Sequence, residues 1–267
     1  MYFVCFVVTN TPMKRFAALL LGVLSCLVSP GVAADTAAPA PVYELRIYYT
    51  HPGKMPDLLK RFREHTCALF EKHGMENIIY GLPVEEKDQD KLYYILRHQS
   101  RDAAKASWKA FVDDPAWHAV RDASEAAGKI VSKVDSVYLA TTDYSPGWPA
   151  SASAGSRVFE LRTYVCNDGK LAALDARFRN HTLKLFEKHG MTNLPYFHPT
   201  DENKGAGKTL IYLLAHKSVD AAKASFNSFR QDPDWVKVRT ESEAPGPILV
   251  SPPSSIFLTP VDFSKLK

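Results

Sequence analysis

Two histidines, His65 and His181, share one position in a stretch that the sequence spells twice. Arg61 to Met75 reads RFREHTCALFEKHGM and Arg177 to Met191 reads RFRNHTLKLFEKHGM, so 12 of 15 positions agree at an offset of 116. An imidazole held on a helix can serve as general base, proton donor or metal ligand. The ordinary alternative is a hydrogen-bonded core histidine. No carboxylate at i±4 orients either ring, and Glu64 neighbours His65 in sequence rather than along the helix face. A second set is Glu44, Arg46 and Tyr48, repeated as Glu160, Arg162 and Tyr164. Alternate residues of a strand share a face, so each trio can line one wall of a pocket. Arg46 and Arg162 could hold a ligand carboxylate or phosphate through paired N–H donors. The commoner use of a buried arginine is an ion pair with a glutamate of its own protein, which would fix the register of two sheets.

Other candidates have plainer readings. His73 and His189 end their helices just before glycine, where a cation suits the helix dipole. His98 and His216 end strands and could form a metal pair only if the fold brings them together. Trp108, Trp117, Trp235, Tyr94 and Tyr212 read as core aromatics. Cys67 and Cys166 have no CxxC or zinc spacing and occupy unrelated repeat positions, which favours two separate thiols. The sequence has no nucleotide-binding loop, nucleophile elbow or HExxH. That argues against the common hydrolases and kinases, and neither metal nor cofactor is expected.

These residues must be positioned by repeated elements. VYELRIYYT (42–50) alternates and is rich in β-branched and aromatic residues, so it reads as a strand. Its Leu45 and Ile47 side is expected against helices, leaving Glu44, Arg46 and Tyr48 toward the other sheet or a cavity. Met55, Leu58, Leu59, Phe62, Leu69 and Phe70 recur at helical spacing and predict one helix from about Met55 to His73, stopped by Gly74. His65 falls on or beside that apolar face. A strand pair over 77–84 and 91–98 follows, then a helix over 101–112 broken at Asp113-Asp114-Pro115, its restart to Ala127, and a last strand over 133–141. The order is β-α-β-β-α-β, the ferredoxin-like split unit. The second copy repeats it, with two residues gained in the hairpin loop and a less regular approach to its last strand.

The organisation expected is a secretory signal over 1–34, a tether over 35–41, a first domain over 42–144, a linker over 145–156 and a second domain over 157–263. Met13-Lys14-Arg15, the apolar run FAALLLGVLSCLV and Val32-Ala33-Ala34 make the signal, with cleavage after Ala34; translation starts at Met1 or Met13. The run is too short to favour a spanning helix, so the mature chain is expected without a stable membrane span, secreted or periplasmic. Loss of Lys14 and Arg15 leaves 31 basic against 29 acidic residues. So small an excess gives no case for nucleic acid.

The Glu-Leu-Arg-x-Tyr strand, the Phe-Arg-x-His-Thr helix ending in Lys-His-Gly, and the Asp-Pro-x-Trp break together resemble the NIPSNAP family. The resemblance covers 43–144 and 157–263. It implies an α+β fold in which two tandem ferredoxin-like βαββαβ units form an intrachain dimeric α+β barrel enclosing a cavity. The family brings no catalytic set to carry over. Three functions are therefore expected in turn. The first is binding of a small apolar and anionic molecule in the barrel, lined by Glu44, Arg46, Tyr48, Glu160, Arg162 and Tyr164. The second is a cofactor-independent monooxygenase-like enzyme with His65 or His181 as base. The third is an assembly module without ligand, which requires a barrel filled with side chains and an apolar outer patch. A homo-oligomer is compatible with all three.

Overall fold

The computed structural model describes residues 40–149 and 157–267. The expected signal and most of the tether lie outside the described residues.

The first repeat runs β1 (Val42–Thr50), α1 (Met55–Arg61), a π-helical turn (Phe62–Thr66), α2 (Cys67–Lys72), β2 (Glu76–Pro83), β3 (Lys91–His98), α3 (Arg101–Val112), α4 (Pro115–Ser124) and β4 (Val131–Thr141). The second runs β5 (Val158–Val165), α5 (Leu171–Arg177), a π turn (Phe178–Thr182), α6 (Leu183–Lys188), β6 (Thr192–Pro199), β7 (Thr209–His216), α7 (Val219–Gln231), α8 (Pro233–Glu243) and β8 (Ser254–Pro260). The strands close a barrel in the order β1-β3-β2-β8-β5-β7-β6-β4, each neighbouring pair antiparallel. The tandem α+β barrel inferred from the sequence is therefore the architecture.

Asp114 explains the Asp-Pro break. It is the N-cap of α4, accepts from the Ala116 N–H at 2.9 Å, and is followed by Pro115, whose missing N–H costs nothing at a helix start. Asp232 and Pro233 repeat the device. The Lys-His-Gly end of the main helix docks on the same aspartate. Lys72 Nζ and His73 Nε2 lie 2.6 and 2.8 Å from Asp114 Oδ2, and Lys188 and His189 lie 2.8 and 2.7 Å from Asp232 Oδ2. His73 and His189 thus tie two helices together rather than only answering a helix dipole.

The helix expected as one piece over 55–73 is divided by the π turn. The Cys67 N–H reaches back to the Phe62 carbonyl and the Leu183 N–H to that of Phe178, one residue further than in an α-helix. Thr66 Oγ1 also donates to the Arg61 carbonyl at 3.2 Å, and Thr182 Oγ1 to that of Arg177 at 3.1 Å. The extra residue rotates the following side chains, so Thr66 and Thr182 are buried and His65 and His181 turn outward.

Inside the barrel, Tyr43, Leu45, Tyr93, Ile95, Leu139, Phe159, Leu161, Phe197, Ile211 and Leu213 form one apolar cluster joined by Ile47 and Ile256. The interior is packed with side chains. Two further clusters, one per repeat, lie between the sheet and its helices.

The halves are joined by short seams, β4 on β6 (Leu139↔Pro199 to Thr141↔Phe197) and β8 on β2 (Leu258↔Pro83 to Pro260↔Gly81). Each seam continues as a tail on the opposite repeat. Asp143-Tyr144-Ser145 docks on repeat 2, where Arg179 holds Asp143 by two bonds of 2.8 and 2.7 Å and Ser145 Oγ accepts from the Tyr196 N–H at 2.9 Å. Asp262-Phe263-Ser264 docks on repeat 1, with Arg63 on Asp262 at 2.8 and 2.9 Å and Ser264 Oγ accepting from the Tyr80 N–H at 3.0 Å. Beyond them Trp148 and Leu266 pack on the interior cluster.

Candidate functional site

The two faces of β1 are the reverse of the sequence expectation. Leu45 and Ile47 fill the barrel, while Glu44, Arg46 and Tyr48 lie beneath the helices. Closure of the sheet is the reason: a closed barrel filled by side chains takes the uniformly apolar face inside. The polar face must then be covered by helices and find its own partners.

It finds them. Glu44 is 1% exposed and is met on both oxygens. Oε1 accepts from Arg46 Nη1 and, at 2.6 Å, from Ser136 Oγ on β4; Oε2 accepts from Trp108 Nε1 on α3 at 2.7 Å and lies 3.1 Å from His98 Nε2 on β3. Burial alone would raise this carboxyl, but the bonds from His98, Ser136 and Trp108 and the Arg46 charge hold it down at about 2. Arg46 Nε donates to Tyr94 Oη at 2.9 Å, and its guanidinium lies 4.1 Å over the Trp108 ring. Tyr48 packs edge-on against Phe62 and Tyr94.

The second repeat rebuilds the cluster with two losses. Glu160 accepts from Arg162 and Ser255 and lies 2.9 Å from His216 Nε2, but Phe226 stands where Trp108 stood. Tyr164 Oη accepts from Tyr212 at 3.1 Å and lies 3.5 Å from Arg162 Nη2, while Arg162 Nε is buried without a partner. Both arginines are thus engaged with glutamates of their own strand. The clusters bind β1 to β3, β4 and α3, and β5 to β7 and β8. His98 and His216 serve separate carboxylates, and among the described residues no group of three or more His, Cys, Asp or Glu is placed to hold a metal.

His65 is half exposed, with Nε2 3.9 Å from Glu64 Oε2. It borders a groove of ≈ 590 Å³ between the α1 region and α4. One wall carries Lys54, Asp57, Lys60 and Glu64; the other is Ala119, Val120, Ala123 and Ala127. The wall's cations are already paired: Lys54 with Asp57, Lys60 with Glu64, and at the floor Arg61 with Glu125 at 3.0 Å. Arg61 also lies 5.3 Å over the Trp117 ring, which fixes the groove floor. His181 borders two adjoining grooves of ≈ 340 and ≈ 350 Å³. There the charge pattern is exchanged between walls, since Ala173 and Ala176 replace Asp57 and Lys60, while Lys237 and Glu241 replace Ala119 and Ala123. The structure thus brings each histidine to an outer groove and to none of the Glu, Arg or Tyr residues grouped with it by sequence. Ala119 and Ala123, one turn apart on a solvent-facing helix, were the unread signal for the wall.

The sequence pattern of NIPSNAP matches residues 43–146 and again 159–265. The chain belongs to the NIPSNAP family. No curated protein matches it. Among solved structures, a provisionally assigned monooxygenase from Lactobacillus acidophilus NCFM is similar over 83% of this chain and 94% of its own, at 10% identity and a TM-score of 0.53. A second provisional monooxygenase, from Fusobacterium nucleatum, aligns over 84% and 94% at 10% identity and 0.53. An anthrone oxidase-like protein aligns over 83% and 91% at 13% identity and 0.50. At such identities the likeness establishes the barrel fold that this NIPSNAP chain shares.

Proposed function

We propose that this NIPSNAP protein binds a small amphipathic molecule in the first-repeat groove, rather than in the barrel interior expected from sequence. The observation that carries the reading is one groove with two unlike walls. Its ≈ 590 Å³ suits a ligand of ordinary size. The apolar body lies on Ala119, Val120, Ala123 and Ala127, and an anionic end meets Lys60 and His65. Lys60 and Glu64 are exposed, and an exposed ion pair yields readily to a competing anion. Anilinonaphthalene sulfonate, which joins an apolar body to a sulfonate, is a suitable probe for fluorescence titration of the full chain. Lys60→Ala should weaken binding, and Ala123→Glu, which imports the residue of the second repeat, should abolish it. Equal affinity in all three proteins rejects the site. Native mass spectrometry of the purified chain identifies any co-purified ligand.

A second reading is an enzyme with His65 as base, in line with the monooxygenase and anthrone oxidase names carried by proteins of the same fold. Its support here is that His65 opens onto a groove of ≈ 590 Å³. Oxygen uptake with anthrone, compared between the wild-type chain and His65→Ala, tests it; identical rates remove His65 from the chemistry.

We further infer export, on the strength of the Lys14-Arg15 start, the apolar run and the Ala33-Ala34 site. Amino-terminal sequencing of the protein from its native host should begin at Asp35; an intact Met1 or Met13 end rejects this.

A further inference from the structure

The two docked tails share a plan, yet they are not interchangeable. Tyr144 donates its hydroxyl to Asp175 Oδ1 at 2.7 Å, and His198 Nε2 lies 3.0 Å from the same oxygen. The equivalent positions of repeat 1 are Leu59 and Leu82, and the ring resting in that cluster is Phe263, which has no hydroxyl. A polar seat thus receives tyrosine, and an apolar seat receives phenylalanine.

The seams differ in size as well. Phe197 of β6 lies beside Thr141 and packs on Tyr43 and Trp148. Its equivalent on β2 is Gly81, beside Pro260. A Cβ added at Gly81 would stand 3.0 Å from Leu258 Cβ and 3.3 Å from the Thr259 carbonyl oxygen. A phenylalanine therefore cannot face β8, and a glycine facing β4 would leave the Phe197 space empty.

We propose that these differences are a pairing code: each repeat accepts the other and rejects a second copy of itself. If repeat 1 met repeat 1 of another chain, Tyr144 would bury its hydroxyl against Leu59 and Leu82, and Gly81 would face Leu139 across a void. If repeat 2 met repeat 2, Asp175 would lose Tyr144, and Phe197 would be driven against Leu258. The Arg63–Asp262 and Arg179–Asp143 pairs are common to both seats and hold without discriminating. The surface thus fits one kind of partner, the unlike repeat, which the same chain supplies at high effective concentration.

The test uses the full chain. Phe263→Tyr should lower the folding equilibrium constant about tenfold, because a buried hydroxyl meets leucine. Leu59→Asp combined with Phe263→Tyr should recover most of that loss relative to the sum of the single effects; additive losses overturn the proposal. A second pair of substitutions, Tyr144→Phe with Asp175→Leu, gives both seats the apolar form. After refolding from denaturant, light scattering should find the wild type monomeric and the double variant with about tenfold more chain-to-chain species. An unchanged monomer fraction in the double variant overturns the proposal too.

Discussion

The indole Nε1–H of Trp108 donates to Glu44 Oε2 across 2.7 Å, and Phe226 at the matching position of the second repeat has nothing to donate. Trp108→Phe should therefore make repeat 1 resemble repeat 2 and cost about 2 kcal/mol, since a bond to a buried charge is lost together with ring contact to Arg46. Urea unfolding measures it.

Acid should act on the same glutamate. The Glu44 carboxyl lies at about 2 in the folded chain against an ordinary 4.5. A lowered folded-state value gives stability that is fully present above the ordinary value and is lost as pH falls through about 2. The contribution is on the order of 3 kcal/mol. Thermal midpoints followed from neutral pH downward should decline through this window, and Glu44→Gln should lower the neutral plateau while flattening that decline.

The π turns depend on a hydroxyl. Thr66→Val preserves shape but removes the 3.2 Å hydroxyl bond to the Arg61 carbonyl, and should cost about 1 kcal/mol in denaturant unfolding. Thr182→Val should cost a similar amount, and the two should add because they lie in separate repeats.

His65→Ala should alter stability by no more than about 0.5 kcal/mol, because the ring is half exposed and outside the core. On the proposed reading its effect falls on ligand binding. A larger loss in calorimetry would place the ring in a structural role.

Burial pushes the Cys67 and Cys166 thiols up to about 11. Both are unpaired, so alkylation by iodoacetamide at mildly basic pH should run about a hundredfold slower than for an unperturbed thiol. Mass spectrometry of the folded and urea-unfolded chain compares the two rates.

The repeated strands, helices and glycine stops were legible because each depends on local spacing. The orientation of Glu44, Arg46 and Tyr48 was not. Alternation tells that two faces differ, but only barrel closure tells that the apolar face has no need of helices. The helical period placed His65 near the buried face, and a hydrogen bond shifted by one residue moved it out. Asp-Tyr-Ser and Asp-Phe-Ser stand in plain view near the repeat ends. Their meaning lies in Arg179, Arg63 and the Tyr196 and Tyr80 amides, which only the folded chain brings near.

One consequence of carrying both halves on a single chain concerns inheritance. Where two identical subunits meet about a twofold axis, every substitution arrives in duplicate and must be tolerated at both places. Here Gly81 and Phe197, or Leu59 and Asp175, descend as separate characters. A single chain frees the barrel from mirroring its own mutations, so the two grooves can carry differently charged walls.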